Sequence, residues 1–121
     1  LTEADVSPGV FIAAVGADNP DKSEIAPSLM ARAKVVVDNL DQCLDMGDLH
    51  HAIAAGVMTA AAVHGDLGDI VTGRIPGRTG SKETFLFDST GTAIQDVASA
   101  VRVYEKAVAA GIGTPFAFAA R

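Results

Sequence analysis

An apolar run that does not alternate, Val10-Phe11-Ile12-Ala13-Ala14-Val15, is followed by a second one, Lys34-Val35-Val36-Val37-Asp38. Continuous apolarity over so few residues reads as a strand buried on both faces. Between the runs, Gly16-Ala17-Asp18-Asn19-Pro20 has loop composition. Pro27 suits the first turn of a helix through Leu29, Met30 and Ala33, where a missing N–H costs nothing. Strand, loop, helix and strand within about thirty residues make a βαβ unit, which dictates parallel pairing. The expected class is therefore α/β.

The remaining segments fit that frame. Residues 41–72 are Ala-rich and read as mostly helical, interrupted by Gly47, Gly56 and Gly65. Gly73-Arg74-Ile75-Pro76-Gly77-Arg78-Thr79-Gly80-Ser81 reads as a mobile connector. Thr84-Phe85-Leu86-Phe87-Asp88 reads as a further buried strand, stopped by Ser89-Thr90-Gly91. Ile94, Val97, Ala98, Val101, Tyr104 and Val108 recur at three- and four-residue steps, one face of a helix ended by Gly111 and Gly113. The tail Pro115-Phe116-Ala117-Phe118 alternates and reads as a strand. With five Phe, one Tyr and no Trp, the core must be built from Ala, Val, Ile and Leu, which suits helices packed on a parallel sheet.

A net charge of −6 argues against nucleic acid or an anionic membrane as partner, since both would be repelled. No apolar run approaches the ~20 residues of a membrane span. The acidic start, Leu1-Thr2-Glu3-Ala4-Asp5, has no signal-peptide character. Cys43 has no second cysteine to pair with, which fits a reducing, cytoplasmic setting. The chain does not open on Met and carries no G-x-G-x-x-G turn, so it reads as part of a larger protein.

In open α/β sheets, ligands sit beyond the carboxyl ends of the strands. Two such ends carry polar clusters here: Asp18 with Lys22 and Glu24, and Asp88-Ser89-Thr90-Gly91. At the second, Ser89 or Thr90 could meet an anion at the start of the last helix, or simply cap that helix. Asp18 is either a functional carboxylate or a turn former ahead of Asn-Pro. Adjacent His50 and His51 diverge on a helix, His64 lacks a partner at ligand spacing, and all three read as structural rather than metal ligands. Cys43 reads as a small core residue. Arg74 and Arg78 could grip an anion, but read as solvated loop residues.

Four stretches taken together carry a resemblance. They are Phe11-Ile12-Ala13-Ala14-Val15-Gly16-Ala17-Asp18 with Lys22 and Glu24; Val35-Val36-Val37-Asp38; Gly73-Arg74-Ile75-Pro76-Gly77-Arg78; and Phe87-Asp88-Ser89-Thr90-Gly91 with Gln95-Asp96. In order and spacing they resemble the C-terminal part of the ornithine cyclodeaminase/mu-crystallin family, over essentially the whole chain. The resemblance implies the later half of a Rossmann-type parallel sheet with flanking helices in residues 1–91. Residues 92–121 would form a C-terminal helix and tail returning to a dimerisation domain. The family's glycine fingerprint, ribose-binding acid and basic substrate clamp would lie upstream.

The resemblance also implies roles. Asp18 matches the catalytic, substrate-binding carboxylate. Ile12, Ala13, Ala14 and Val15 match the strand end whose backbone lies along the nicotinamide of NAD or NADP. Lys22 and Ser89 match further cofactor positions. Thr90 matches a substrate position where ornithine cyclodeaminases proper can carry Val, so the likeness extends to alanine dehydrogenases and cyclic ketimine reductases. The implied activity is hydride transfer at the α-carbon of an amino or cyclic imino acid, by a homodimer. An acid at the end of the second Rossmann strand would favour NAD, and an arginine NADP. The alternative is a non-catalytic remnant serving as an oligomeric binding module.

Overall fold

The computed structural model describes residues 1–116. Its chain divides into two compact units, Leu1–Gly91 and Thr92–Arg121, the second described as far as Phe116. The first unit contains strands β1 (Phe11–Ala14), β2 (Lys34–Val37), β3 (Gly65–Asp66) and β4 (Phe85–Asp88), with helices α1 (Pro27–Arg32), α2 (Leu40–Asp45), α3 (Gly47–Ala54) and α4 (Leu67–Val71). The four strands form one sheet in the order β1-β4-β2-β3. Every pairing is parallel, with Ala14 and Val37 both in register with Asp88. The expected α/β architecture is present.

Local chemistry sets the helix ends. Pro27 opens α1 after extended Ala26, and the Ala33 N–H closes it onto the Leu29 and Met30 carbonyls. Asn39 caps α2 by accepting the Gln42 N–H at 2.9 Å. Gly47, at φ +85°, turns the chain from α2 into α3. A side chain there is opposed both by that dihedral and by the Thr90 methyl.

Helices α1, α2 and α3 cover one face of the sheet. Ile12, Ala14, Val35, Val37 and Leu86 meet Leu29, Met30, Cys43, Leu49 and Ala52 in a single apolar core. The opposite face is less covered. Phe11, Val36, Phe85 and Phe87 share a hollow of about 280 Å³ with Leu67 and Ile70 of α4.

The expectation that the first strand is buried on both faces is therefore corrected. In β1, Ile12 and Ala14 are buried while Phe11 and Ala13 are exposed. The strand lies at a sheet edge and only its core-side face is covered. The Ala-rich middle is also less helical than expected. Residues 65–66 form the edge strand β3, and a single 3₁₀ turn occupies Ala60–Ala62.

Nor is the 73–81 segment a free connector. Arg78 donates to the Gly9 and Val10 carbonyls and lies over the Phe85 ring. His64 bonds the Pro76 carbonyl, and Thr79 and Gly80 donate their N–H groups to Glu83. These bonds draw the Glu83 carboxyl down to about 2, the Thr79 and Gly80 N–H groups being the main cause. Arg74 pairs with Asp69 at 2.6 Å.

The second unit is the long helix α5 (Ala93–Ala110), ended by Gly111 in the left-handed region at φ +65°. The Ile112 N–H reaches back to the Ala107 carbonyl, as a C-terminal glycine turn requires. Its apolar stripe, Ile94, Val97, Val101, Tyr104 and Val108, is exposed. Ala117 and Phe118 of the expected tail strand lie outside the described residues.

Candidate functional site

Parallel pairing brings the carboxyl ends of β1, β4 and β2 to one edge of the sheet. The row beyond the strands is tied together by backbone bonds, Ser89 N–H to Ala14 carbonyl at 2.9 Å and Asp38 N–H to Asp88 carbonyl at 3.3 Å. The two polar clusters of the sequence thus stand at neighbouring strand ends, where ligands of such sheets bind.

The loop leaving β1 carries Asp18 and Lys22. Their side chains form an exposed ion pair at 2.6 Å. The Lys22 hydrogen bond and charge hold the Asp18 carboxyl below its ordinary value, so it is ionised at neutral pH. Such a group can accept a proton or stabilise a nearby cation. It cannot serve as an acid there without losing Lys22 or becoming buried. Asn19 folds the loop by accepting the Asp21 and Lys22 N–H groups. Glu24 then reaches back to the Gly16 N–H at 2.9 Å. A methyl group on Gly16 would sit 2.4 Å from that carboxylate and would push the Glu24 side chain aside.

The loop leaving β4 is built on Asp38. Its Oδ2 accepts the Ser89 hydroxyl at 2.8 Å and the Gly91 N–H at 2.9 Å, and its Oδ1 accepts the Asn39 N–H. Burial pushes the Asp38 carboxyl up, but the Ser89 and Gly91 bonds outweigh it and hold the group below the usual range. Gln42 donates to the Thr90 hydroxyl and to the Gly91 carbonyl, at 2.9 and 2.7 Å. Neither Ser89 nor Thr90 caps the last helix, because α5 starts at Ala93 behind Thr92, which makes no side-chain cap bond. Both residues are instead buried parts of the β4 turn.

Gly47 joins the two loops. A methyl group there would lie 2.7 Å from Thr90 Cγ2 and 3.4 Å from both the Ala17 carbonyl and Asp88 Oδ1. Thr90 and the residue preceding Asp18 therefore flank the same glycine. Of the expected cofactor strand, Ala13 and Val15 are exposed whereas Ile12 and Ala14 point into the core.

Two carboxylates lie buried here: Asp88, singled out in the sequence only as part of the β4-end cluster, and Asp48, which escaped the sequence reading. Asp88 Oδ2 accepts the Leu49 N–H at 2.8 Å, while its Oδ1 has no hydrogen-bond partner. Burial, with the Asp48 and Asp38 charges adding to it, pushes Asp88 up to about 6. Asp48 Oδ1 accepts Ser23 Oγ, the Glu24 N–H and the Ile25 N–H at 3.2, 2.7 and 2.9 Å. The one sequence sign of Asp48 was its place just after a helix-opening glycine, where an acid faces free N–H groups. Beside them the Cys43 thiol is pushed up to about 12 by burial and by the Asp88 and Asp38 charges, so it stays protonated. His50, His51 and His64 each bond a backbone carbonyl. No metal-binding cluster occurs among the described residues.

Comparison with known proteins bears out the fold. A model of the ornithine cyclodeaminase/mu-crystallin family matches residues 1–111. The iminosuccinate reductase of Paracoccus denitrificans is 44% identical over 112 residues, which is 93% of this chain and 34% of that protein. An archaeal alanine dehydrogenase dimer with bound NAD superposes with a TM-score of 0.85 at 39% identity, covering 98% of this chain and 37% of that one. The Thermococcus litoralis Δ1-pyrroline-2-carboxylate reductase, in complex with NADH and L-proline, gives 0.87 at 32% identity, covering 96% and 36%. The chain spans about a third of the length of the relatives it matches.

Proposed function

The chain belongs to the ornithine cyclodeaminase/mu-crystallin family, and from that membership we propose that it is the C-terminal part of an NAD(P)-dependent oxidoreductase acting on an amino acid or cyclic imino acid. The observation that carries this reading is the placing of an exposed, ionised Asp18 beside Lys22 at the strand ends that also bear Ser89 and Thr90. The dehydrogenase and the two reductases above share this third of the fold.

The residues present fit the nicotinamide end of such a cofactor. Exposed Ala13 and Val15, followed by Gly16, leave a low apolar surface at the end of β1. Lys22 and Ser89 are the further positions that would hold it. No glycine-rich turn for the diphosphate occurs in the chain, so that part of the grip belongs to preceding sequence. Bound, the cofactor supplies the hydride donor or acceptor.

The part of this chain is electrostatic and protonic. Hydride exchange at an α-carbon bearing nitrogen passes through a cationic iminium of the substrate, which the Asp18 carboxylate stabilises. The same carboxylate accepts a proton from the substrate nitrogen or an attacking water. Thr90, beside Gly47, is the substrate-side neighbour. Assembly as a homodimer, as in the archaeal dehydrogenase, completes the reading.

The test is a spectrophotometric assay of the protein together with its upstream sequence. NAD(P)H oxidation is followed with pyrroline-2-carboxylate and iminosuccinate, NAD⁺ reduction with alanine, and ammonia release with ornithine, whose cyclisation is redox-neutral overall. Turnover in one direction is expected. No turnover with any of them, together with no cofactor binding, overturns the proposal. The 121-residue chain alone should bind NADH weakly or not at all. Submicromolar affinity would refute the assignment of the diphosphate site to preceding sequence.

A further inference from the structure

We infer that Asp48 is a positioning residue for Asp18: its buried side chain fastens the far end of the loop that starts at Gly16, and so fixes where Asp18 and Lys22 stand. The functional meaning rests on the proposal above that Asp18 is catalytic.

The loop is tied at several places. Glu24 closes it onto the Gly16 N–H, Asn19 shapes its middle, and Asp48 gathers Ser23, Glu24 and Ile25 on a single carboxylate oxygen. The Glu24 tie depends on the Asp48 tie, because the residue whose side chain reaches Gly16 has its own N–H held by Asp48. One turn further along α3, His51 Nε2 bonds the Lys22 carbonyl at 3.0 Å, so the same helix grips the loop twice. The carbonyl can only accept, so Nε2 carries the proton. Helix α3 is in turn anchored to β4 by the Leu49 N–H on Asp88. A continuous path of hydrogen bonds therefore runs from the β4 strand end through α3 to the Asp18 loop.

Packing does not explain Asp48. It is fully buried, no Lys or Arg pairs with it among the described residues, and its Oδ2 has no hydrogen-bond partner. A buried unpaired carboxylate is costly, and an apolar side chain of similar volume fills the same space at lower cost. What the carboxylate supplies, and an apolar group cannot, is an acceptor for two consecutive backbone N–H groups and a hydroxyl at the end of this loop.

The experiment is carboxyl-detected NMR on the protein together with its upstream sequence, following the Asp18 titration and hydrogen exchange at the Gly16 amide. In Asp48→Ala the Asp18 midpoint should move up toward the ordinary value near ~3.9, and Gly16 exchange should quicken at least about tenfold. The β4 amides should stay protected. Asp48→Asn keeps an accepting oxygen and should hold both readouts close to wild type. Asp48→Leu fills the space and makes the same test should the alanine variant unfold. An intact sheet with unchanged Asp18 titration and Gly16 exchange in Asp48→Ala or Asp48→Leu overturns the inference. So does loss of the fold in both, which would make Asp48 a general stability residue. Neither readout needs turnover, so failure of the proposed activity and failure of this inference are separate results.

Discussion

The Lys22 ammonium lies 2.6 Å from the Asp18 carboxylate, four residues away on an exposed loop. The pair is open to solvent and adds little to stability. Its consequence is electrostatic, because it keeps Asp18 in the charged form to lower pH than an isolated aspartate. Lys22→Met should therefore raise the Asp18 midpoint toward the ordinary range, measured by NMR titration. An unchanged midpoint would mean the pair is not formed in solution.

Asp18→Asn removes the charge while keeping size and shape. In the complete enzyme it should lower turnover by about 10²–10⁴-fold, the range typical of losing a positioned proton acceptor. Cofactor affinity should be nearly unchanged. Wild-type turnover in this variant would remove Asp18 from the mechanism.

Asp88 gives a pH signature of opposite sign to most carboxylates. Its folded value of about 6 lies above its ordinary 3.8. The folded state therefore binds more protons than the unfolded chain between these values, and stability falls as pH rises through that window. A shift of this size corresponds to roughly 3 kcal/mol lost between about pH 4 and pH 7. Asp88→Asn retains an acceptor for the Leu49 N–H and should remove this component. Urea melts at both pH values should show the variant gaining on wild type as pH rises. A constant difference would contradict the assignment.

Gly47→Ala should be among the most damaging single-methyl additions near the site. The residue sits at φ +85°, and the added carbon would lie 2.7 Å from Thr90 Cγ2. Strain and overpacking together predict a loss of about 2 kcal/mol or more, read from thermal or urea unfolding. Gly56→Ala is the control: its φ is also positive, but nothing lies within 4 Å of the added carbon.

The strands around Ile12, Val35 and Leu86 were legible because buried parallel strands are short continuous apolar runs. The two-residue β3 was not, since Gly65 and Asp66 carry no strand character and gain their place only from pairing with Val36 and Val37. The exposed face of β1 was hidden for a related reason: Phe11 and Ala13 are apolar, and sequence cannot show that the chain leaves them uncovered. Asp18, Lys22, Ser89 and Thr90 could be singled out from their places at strand ends and from a family pattern. The supporting shell could not. Asp48 sits in a helix between Gly47 and Leu49, and an acid near a helix start ordinarily reads as a solvated position. Its partners lie more than twenty residues earlier in the chain. Arg78 likewise read as a solvated loop cation, because its acceptors at Gly9 and Val10 are remote in sequence.

The last strand of the sheet in chain order, β4, lies between the first two, β1 and β2. Before residues 85–88 are synthesised, β1 and β2 therefore have no ladder between them. The sheet can close only when Phe85–Asp88 emerges and pairs on both sides at once. Until then β1 has no partner among these strands, and β2 has only the two-residue β3. Truncation before β4 would therefore separate β1 from β2 and leave strand edges open to aggregation rather than yield a smaller closed sheet.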